Sequence, residues 1–308
     1  MAKINYIIGL IAVLLFFQFT ENSFSQNRFI FISDTQEPLS VEKIFIKTNN
    51  NGLASDAIFN AVQSAPQPLS VFHLGDLTAL GFSKDGWEKI DRFTAKLKER
   101  KIPFYPIMGN HEYMLWANRG KNEFVKRFGL QYSKWYSVKI AGCAIVMLNS
   151  NFSNLTKAEN TLQENWYKNK IDELQKDSSV QTIIVCLHHS PYTNSKVVEP
   201  AEQVQEKIVP LFLKSSKCKL FVSGHAHTFE HFKIKGKDFL VTGGGGGALQ
   251  PMLTGGKQRF NNIFLHKNET GFFHYLDCEF KSDKLFITVK KLNDDFKTFS
   301  DVYTLTID

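Results

Sequence analysis

Cysteine is scarce in this chain. Four occur in 308 residues, Cys143, Cys186, Cys218 and Cys278, and no two lie close together. A disulfide scaffold is therefore not expected, although a single bridge stays open because sequence alone does not fix connectivity. Cys143 and Cys186 fall inside apolar, strand-like runs, where a thiol behaves as a small hydrophobe. No internal repeat, low-complexity linker or break in composition divides the chain. With 43% hydrophobic and 22% charged residues, it is globular material long enough for one large core.

Long apolar runs are also missing. The main one, residues 7–17 behind Lys3, is shorter than the roughly 20 residues that cross a bilayer. Followed by Ser23-Phe24-Ser25 and Gln26, it reads as the core of a secretory signal over residues 1–25, cleaved after Ser25. The mature domain is then 26–308, without a transmembrane segment, and the location is secreted or periplasmic. An uncleaved N-terminal anchor is the other reading. No cysteine follows closely, which argues against a lipid anchor.

A concentrated basic stripe is absent as well. The formal charge is +7, and Lys3 and Glu21 cancel within the signal, so the excess stays with the mature chain. Such a balance favours anionic partners. The lysines are scattered, however, and read as a solvated surface, so no stable nucleic-acid partner is expected.

What is present is a rhythm. Residues 29–32, 70–74 and 102–107 read as buried strands. Trp87, Ile90, Phe93, Thr94 and Leu97 sit between the last two at helical spacing, with Asp85 as a cap. The second half repeats this pattern. Strands 144–148 and 182–187 flank a helix marked by Leu162, Trp166, Ile171 and Leu174. Residues 201–214 look helical despite Pro210, and strands 220–222 and 239–241 follow. Phe273, Tyr275, Leu285 and Ile287 then alternate as in antiparallel strands. The expected fold is α/β: two mixed sheets packed face to face and flanked by helices, a four-layer α-β-β-α sandwich.

Polar residues gather where these strands end. Asp34 and Gln36 follow the first, Asp76 the second, Asn110 and His111 the third, His188 and His189 the strand 182–187, and His225 and His227 the strand 220–222. Parallel strands bring their carboxyl ends to one rim, where open α/β sheets bind ligands.

In order, the blocks are Asp34-Thr35-Gln36, Gly75-Asp76, Gly109-Asn110-His111-Glu112, His188-His189-Ser190-Pro191 and Gly224-His225-Ala226-His227. On these the chain resembles the calcineurin-like metallophosphoesterases, the purple acid phosphatase-like superfamily, over residues 29–245. The resemblance implies two divalent ions. Asp34, Gln36, Asp76 and His227 would hold one; Asp76, Asn110, His189 and His225 would hold the other, with Asp76 bridging. His189 is preferred to His188 because it directly precedes Ser-Pro. His111 would be the catalytic group near the scissile phosphate.

The implied activity is hydrolysis of a small phosphate ester (monoester, diester or pyrophosphate) by a metal-bridging hydroxide. Two ions about 4 Å apart lower the pKa of a shared water and clamp the oxygens of an in-line displacement. Mixed oxygen and imidazole donors suit Mn, Fe, Zn or Co better than Mg or Ca. A nuclease of the same superfamily and a non-catalytic binding protein with a vestigial site are the alternatives.

Two positions depart from the family pattern. Ala79 stands where purple acid phosphatases carry the Fe(III)-binding tyrosine, so a colourless divalent pair is expected. Gln36 stands where many members carry His, and an amide oxygen is the weaker donor.

Other residues have two readings each. The glycines at 243–247 either approach a phosphate with their N–H groups or pack closely beside the site. His73 reads as a core histidine, and His231 as lining the cleft or lying on the surface. Tyr113, Trp116, Tyr192 and Asn194 form a substrate wall or pack against their loops, and Met114-Leu115-Trp116 also reads as a buried loop anchor.

Overall fold

Phe29 and Phe31 point to one side of the first strand, Ile30 and Ile32 to the other, and all four are buried. A strand apolar on both faces belongs inside a layered protein. The computed structural model describes residues 27–46, 50–67, 69–265 and 269–308. The apolar run at 7–17 and the signal expected over 1–25 lie outside them.

Twelve strands are described: β1 (Arg28–Ile32), β2 (Ser70–His73), β3 (Phe104–Pro106), β4 (Tyr136–Ile140), β5 (Cys143–Met147), β6 (Thr182–Leu187), β7 (Cys218–Ser223), β8 (Phe229–Ile234), β9 (Lys237–Thr242), β10 (His274–Lys281), β11 (Lys284–Leu292) and β12 (Phe299–Ile307). They form two six-stranded sheets, ordered β12-β11-β10-β1-β2-β3 and β4-β5-β6-β7-β9-β8. Strands β1, β2 and β3 run parallel in the first sheet; β5, β6, β7 and β9 run parallel in the second. Antiparallel strands complete both. The two sheets are therefore mixed.

Three buried layers follow. One lies between the sheets and contains Phe29, Phe31, Phe72, Ile145, Ile184, Val222 and Leu276. The other two lie under the outer helices, around Tyr167, Ile171 and Phe212 on one side and Ile58, Trp87 and Phe93 on the other. This is the expected α-β-β-α sandwich. All four cysteines are buried and unpaired, three of them between the sheets. Burial pushes the Cys143 thiol up to about 12. Among the described residues no helix is long and apolar enough to cross a membrane.

Several local expectations are corrected. The helix Lys157–Lys176 is capped by Thr156, which accepts from Glu159 N at 3.1 Å, and it buries Gln163, Tyr167, Ile171 and Leu174. Ile171 and Leu174 are buried as expected and Trp166 is half-buried, but Leu162 is exposed, the first turns burying Gln163 and Tyr167 instead. Residues 201–214 form two helices, Glu202–Lys207 and Val209–Lys214, broken at Ile208. Pro210 lacks the N–H that would continue the first and sits in the opening turn of the second. Asp85 caps nothing: it begins a 3-10 turn, Asp85–Trp87, ahead of the helix Glu88–Glu99. The third strand is shorter than expected.

Candidate metal centre

The loops that follow β1, β2, β3, β6 and β7 converge at one rim and are tied together by their backbones. Asp34 N donates to Gly75 O at 3.1 Å, Thr35 N to Asp76 O at 2.9 Å, and Gly224 N to His188 O at 2.9 Å. Asp34, Asp76, His225 and His227 all take positive φ, between 43° and 68°. Non-glycine residues rarely adopt this region, and strain of this kind collects at functional sites. Gly75, at φ 97°, has no room for a side chain: a Cβ would lie 2.6 Å from Gly109 N and 2.8 Å from His188 Nδ1.

Asp76 is the hub. Its Oδ1 accepts the His111 N–H at 2.9 Å, which leaves Oδ2 facing the centre. Around that oxygen lie His188 Nε2 at 3.2 Å, Gln36 Nε2 at 3.4 Å and His111 Nε2 at 3.9 Å. His188 Nε2 is also 2.9 Å from Asn110 Oδ1. Across the hub, His227 Nε2 is 3.3 Å from Asp34 Oδ1, and the Asp34 carboxylate accepts the His225 N–H. Two groups have the spacing of a metal site: Asp34, Asp76 and His188, and His188, His189 and His225.

The imidazoles are oriented from behind. Nδ1 of His188 lies 2.9 Å from Leu74 O, that of His227 2.8 Å from Ala248 O, and that of His111 2.8 Å from Ala79 O. A carbonyl only accepts, so each Nδ1 carries the proton and each Nε2 faces the centre, the arrangement a ligating histidine needs. His189 differs, since its Nδ1 meets Ser150 Oγ at 2.8 Å.

Charge follows the geometry. Burial raises Asp34 and Asp76, but the imidazoles of His227 for the first and of His188 and His111 for the second outweigh it, holding both carboxyls below the usual range. Burial lowers His188, yet Asp76 and Asp34 lift it to about 9. His189, desolvated and beside His188, falls to about 3, and His225 is lowered for the same reasons. The ionised carboxylates and the neutral imidazoles of His189 and His225 are in the protonation states that bind a cation, whereas His188 and His227, both raised by the buried carboxylates, would release a proton on binding one.

Gln36 fits the same demand. Its amide nitrogen is 3.1 Å from His227 Nε2, while its buried Oε1 has no hydrogen-bond partner. Rotation of the amide exchanges the two atoms, so an oxygen donor is available to a cation between Asp34 and Asp76. The donor set of carboxylates, amide oxygens and imidazoles suits borderline divalent ions.

All eight expected site residues, Asp34, Gln36, Asp76, Asn110, His111, His189, His225 and His227, lie at this rim. His188 joins them, fully buried between Asp76 and Asn110, although sequence order had favoured its neighbour. Glu112 was also missed. Its carboxylate accepts N–H groups from Asp76, Leu77, Thr78 and Gly109. Its place in the Gly-Asn-His-Glu block was the one available signal.

Other expectations resolve as packing. His73 is buried, 2.9 Å from Thr35 Oγ1. His231 is neither in the cleft nor on the surface: it is buried between Tyr303 Oη at 2.8 Å and Asp238 Oδ1 at 2.9 Å. Within 243–247, the N–H groups of Gly243, Gly245 and Gly247 bond to Thr228 O, Ser33 O and Asp34 O, so those three do not await a phosphate. A Cβ on Gly243 would lie 2.5 Å from His227 N, and one on Gly247 2.7 Å from the His227 ring. Close packing explains the run.

Three members of the expected substrate wall pack against their surroundings instead. Tyr113 is buried on Asn149, Asn194 binds Phe260 O and the N–H of Arg259, and Tyr192 packs among Phe232, Phe239 and Phe260. Leu115 and Trp116 are exposed and anchor nothing in the core.

A model of the calcineurin-like phosphoesterase family matches residues 27–229. The fold is similar to that of GAP50, the anchor in the inner membrane complex of Plasmodium, with a TM-score of 0.64, 16% identity, and coverage of 92% of this chain and 89% of that one. It is also similar to purple acid phosphatase PPD1 from yellow lupin (Lupinus luteus) seeds: TM-score 0.64, 18% identity, 92% of this chain and 53% of that one. This chain thus spans about half the length of the lupin protein. A dimetal phosphatase from Danio rerio matches with a TM-score of 0.59 and 14% identity, over 92% of this chain and 99% of that one. At these identities the likeness is one of fold.

Proposed function

This chain belongs to the calcineurin-like phosphoesterases, and from that membership we propose that it is an exported hydrolase of small phosphate esters that works with two divalent ions. The observation that carries the reading is the set of imidazoles whose Nδ1 atoms rest on carbonyls and whose Nε2 atoms face two buried carboxylates. We assign Asp34, Gln36, Asp76 and His227 to one ion and Asp76, Asn110 and His225 to the other. His188 completes the second set, because its Nε2 stands between Asp76 and Asn110. His189 then faces the substrate from the edge of the same cluster.

When bound, such a pair of ions supplies an activated water and neutralises charge on the phosphoryl group. The protein's part is to hold the ions and manage protons. Asp76 turns a single oxygen toward both sets, its other oxygen being fixed by His111 N–H. His111, held by Ala79 O through Nδ1, directs Nε2 into the centre, and as an imidazolium it would pass its Nε2 proton to the leaving oxygen and remain neutral. Export rests on the sequence of residues 1–25, and N-terminal sequencing of the purified protein should find Gln26 first.

The test is chelation. Exhaustive removal of metal should abolish hydrolysis of nitrophenyl phosphate, Mn or Co should restore it, and Asp76→Ala should not recover. Metal analysis should give two ions per chain, with His188→Ala losing one and His189→Ala keeping both. Full activity in metal-free protein overturns the proposal, and retention of both ions in His188→Ala overturns the assignment of that residue.

A further inference from the structure

A cleft of about 420 Å³ opens beside the centre, with Asn110 and His189 as its inner wall. These two residues and His225 are the half-buried members of the site, the others being fully buried. The centre therefore reaches solvent on this side.

The lining is lopsided in charge. Ser150, Asn151 and Phe152 form a buried floor. Its polar groups are already engaged: Ser150 Oγ with His189, and Asn151 Nδ2 with Met108 O and Asn149 Oδ1, both at 3.0 Å. The outer wall carries two exposed carboxylates, Glu199 and Glu202. Among the described residues that line the cleft, none is Lys or Arg. Two cations that touch lining residues are themselves paired. Arg259 binds Glu199 and Ser195 O, both at 2.6 Å; Lys207 binds Glu164 at 2.9 Å and stands 5.2 Å over the Phe152 ring.

A leaving group bearing a second phosphate or a carboxylate needs charge-assisted donors to replace its water. This wall gives it one uncompensated like charge, Glu202, because Glu199 is paired with Arg259. We propose that the cleft is the leaving-group subsite of the phosphoesterase described above, and that it selects esters of small aminoalcohols over esters of anionic alcohols and over pyrophosphates. Glu202 is the specificity-determining residue, since Glu199 already holds Arg259. The inference rests on the phosphoesterase reading.

The experiment uses the manganese-loaded protein and three esters of similar size: phosphoethanolamine, glycerol 2-phosphate and 3-phosphoglycerate. Nitrophenyl phosphate reports the basic reaction. Intrinsic reactivity differs among alcohols, so the decisive quantity is how each variant changes the ratio of kcat/KM for phosphoethanolamine to that for 3-phosphoglycerate. At low salt, Glu202→Lys should lower this ratio about tenfold, mainly through KM, and Glu202→Gln by about threefold. Added salt should shrink both effects, because the charges are exposed. Turnover of nitrophenyl phosphate with a ratio that neither substitution moves overturns the subsite alone. Turnover of nitrophenyl phosphate with no hydrolysis of phosphoethanolamine overturns the subsite, and hydrolysis of none of the four, nitrophenyl phosphate included, overturns it together with the proposed function.

Discussion

The Glu112 carboxylate accepts the Asp76 N–H at 2.9 Å and, through the same oxygen, the Gly109 N–H at 2.7 Å. Its other oxygen takes Leu77 N at 2.8 Å and Thr78 N at 3.3 Å. One side chain thus fixes the loop of the hub aspartate against the loop that carries Asn110 and His111. Glu112→Ala would leave these buried donors without an acceptor, each costing about 1–3 kcal/mol. The melting temperature, measured in chelator so that metal loss does not contribute, should fall by roughly 10 °C. Glu112→Gln retains one carbonyl oxygen and should fall about half as far. An unchanged melt in both would show that the loops are held by something else.

His111 should separate binding from turnover. Its ring lies beside Asp76 without being needed to enclose an ion, so His111→Ala should keep the metal content and lose about 10²- to 10⁴-fold in rate. The loss should be larger for alkyl esters than for nitrophenyl phosphate, whose leaving group needs less help. Collapse of metal binding would refute the role.

Gln36 is the weakest donor of its set. On mild chelation the ion held with Asp34 and His227 should leave first, giving a mononuclear protein. Gln36→His should hold that ion to higher chelator concentration, most clearly with Zn, because imidazole suits it better than an amide. Stoichiometry against chelator is the measurement, and identical curves would mean that Gln36 does not touch the metal.

His73 predicts an acid sensitivity. Burial, opposed only in part by Asp34 and Asp76, depresses its pKa to about 3. Between pH 6.5 and pH 3 the unfolded chain therefore takes up a proton that the folded chain refuses, and stability falls as the pH falls through that window. Denaturant unfolding at pH 7 and pH 4.5 should show the wild type losing about 2–3 kcal/mol more than His73→Gln. Equal losses would place the acid sensitivity in the carboxylates alone.

Much of this molecule was legible in the sequence because its signals are local. The parallel strands are short apolar runs, each ligand block follows one, and parallel strands with a common polarity must share a rim. What was not legible depends on residues far away in the chain. The proposal of His188 in place of His189 turns on which side chain the loop after β6 directs at Asp76, and adjacency to a proline does not encode that. His231 gave no hint of Tyr303, nor Asn194 of Arg259, because those partners arrive from distant segments. Leu162 misled because apolar character at helical spacing does not fix which face meets the sheet.

A run of five glycines would ordinarily be taken for a flexible linker, yet residues 243–247 should be among the least mutable in the chain. At Gly244 a methyl group would collide with the His274 ring at 2.1 Å, at Gly245 with Ser33 O at 2.2 Å, and at Gly246 with Ser55 Cβ at 2.7 Å. With the His227 clashes at either end, every position presses on a packed neighbour, and Gly243, Gly245 and Gly247 press on segments that carry a proposed ligand. In a saturation library scored for metal content, this stretch should appear as five consecutive positions that accept no other amino acid, in a loop where composition alone would forecast tolerance.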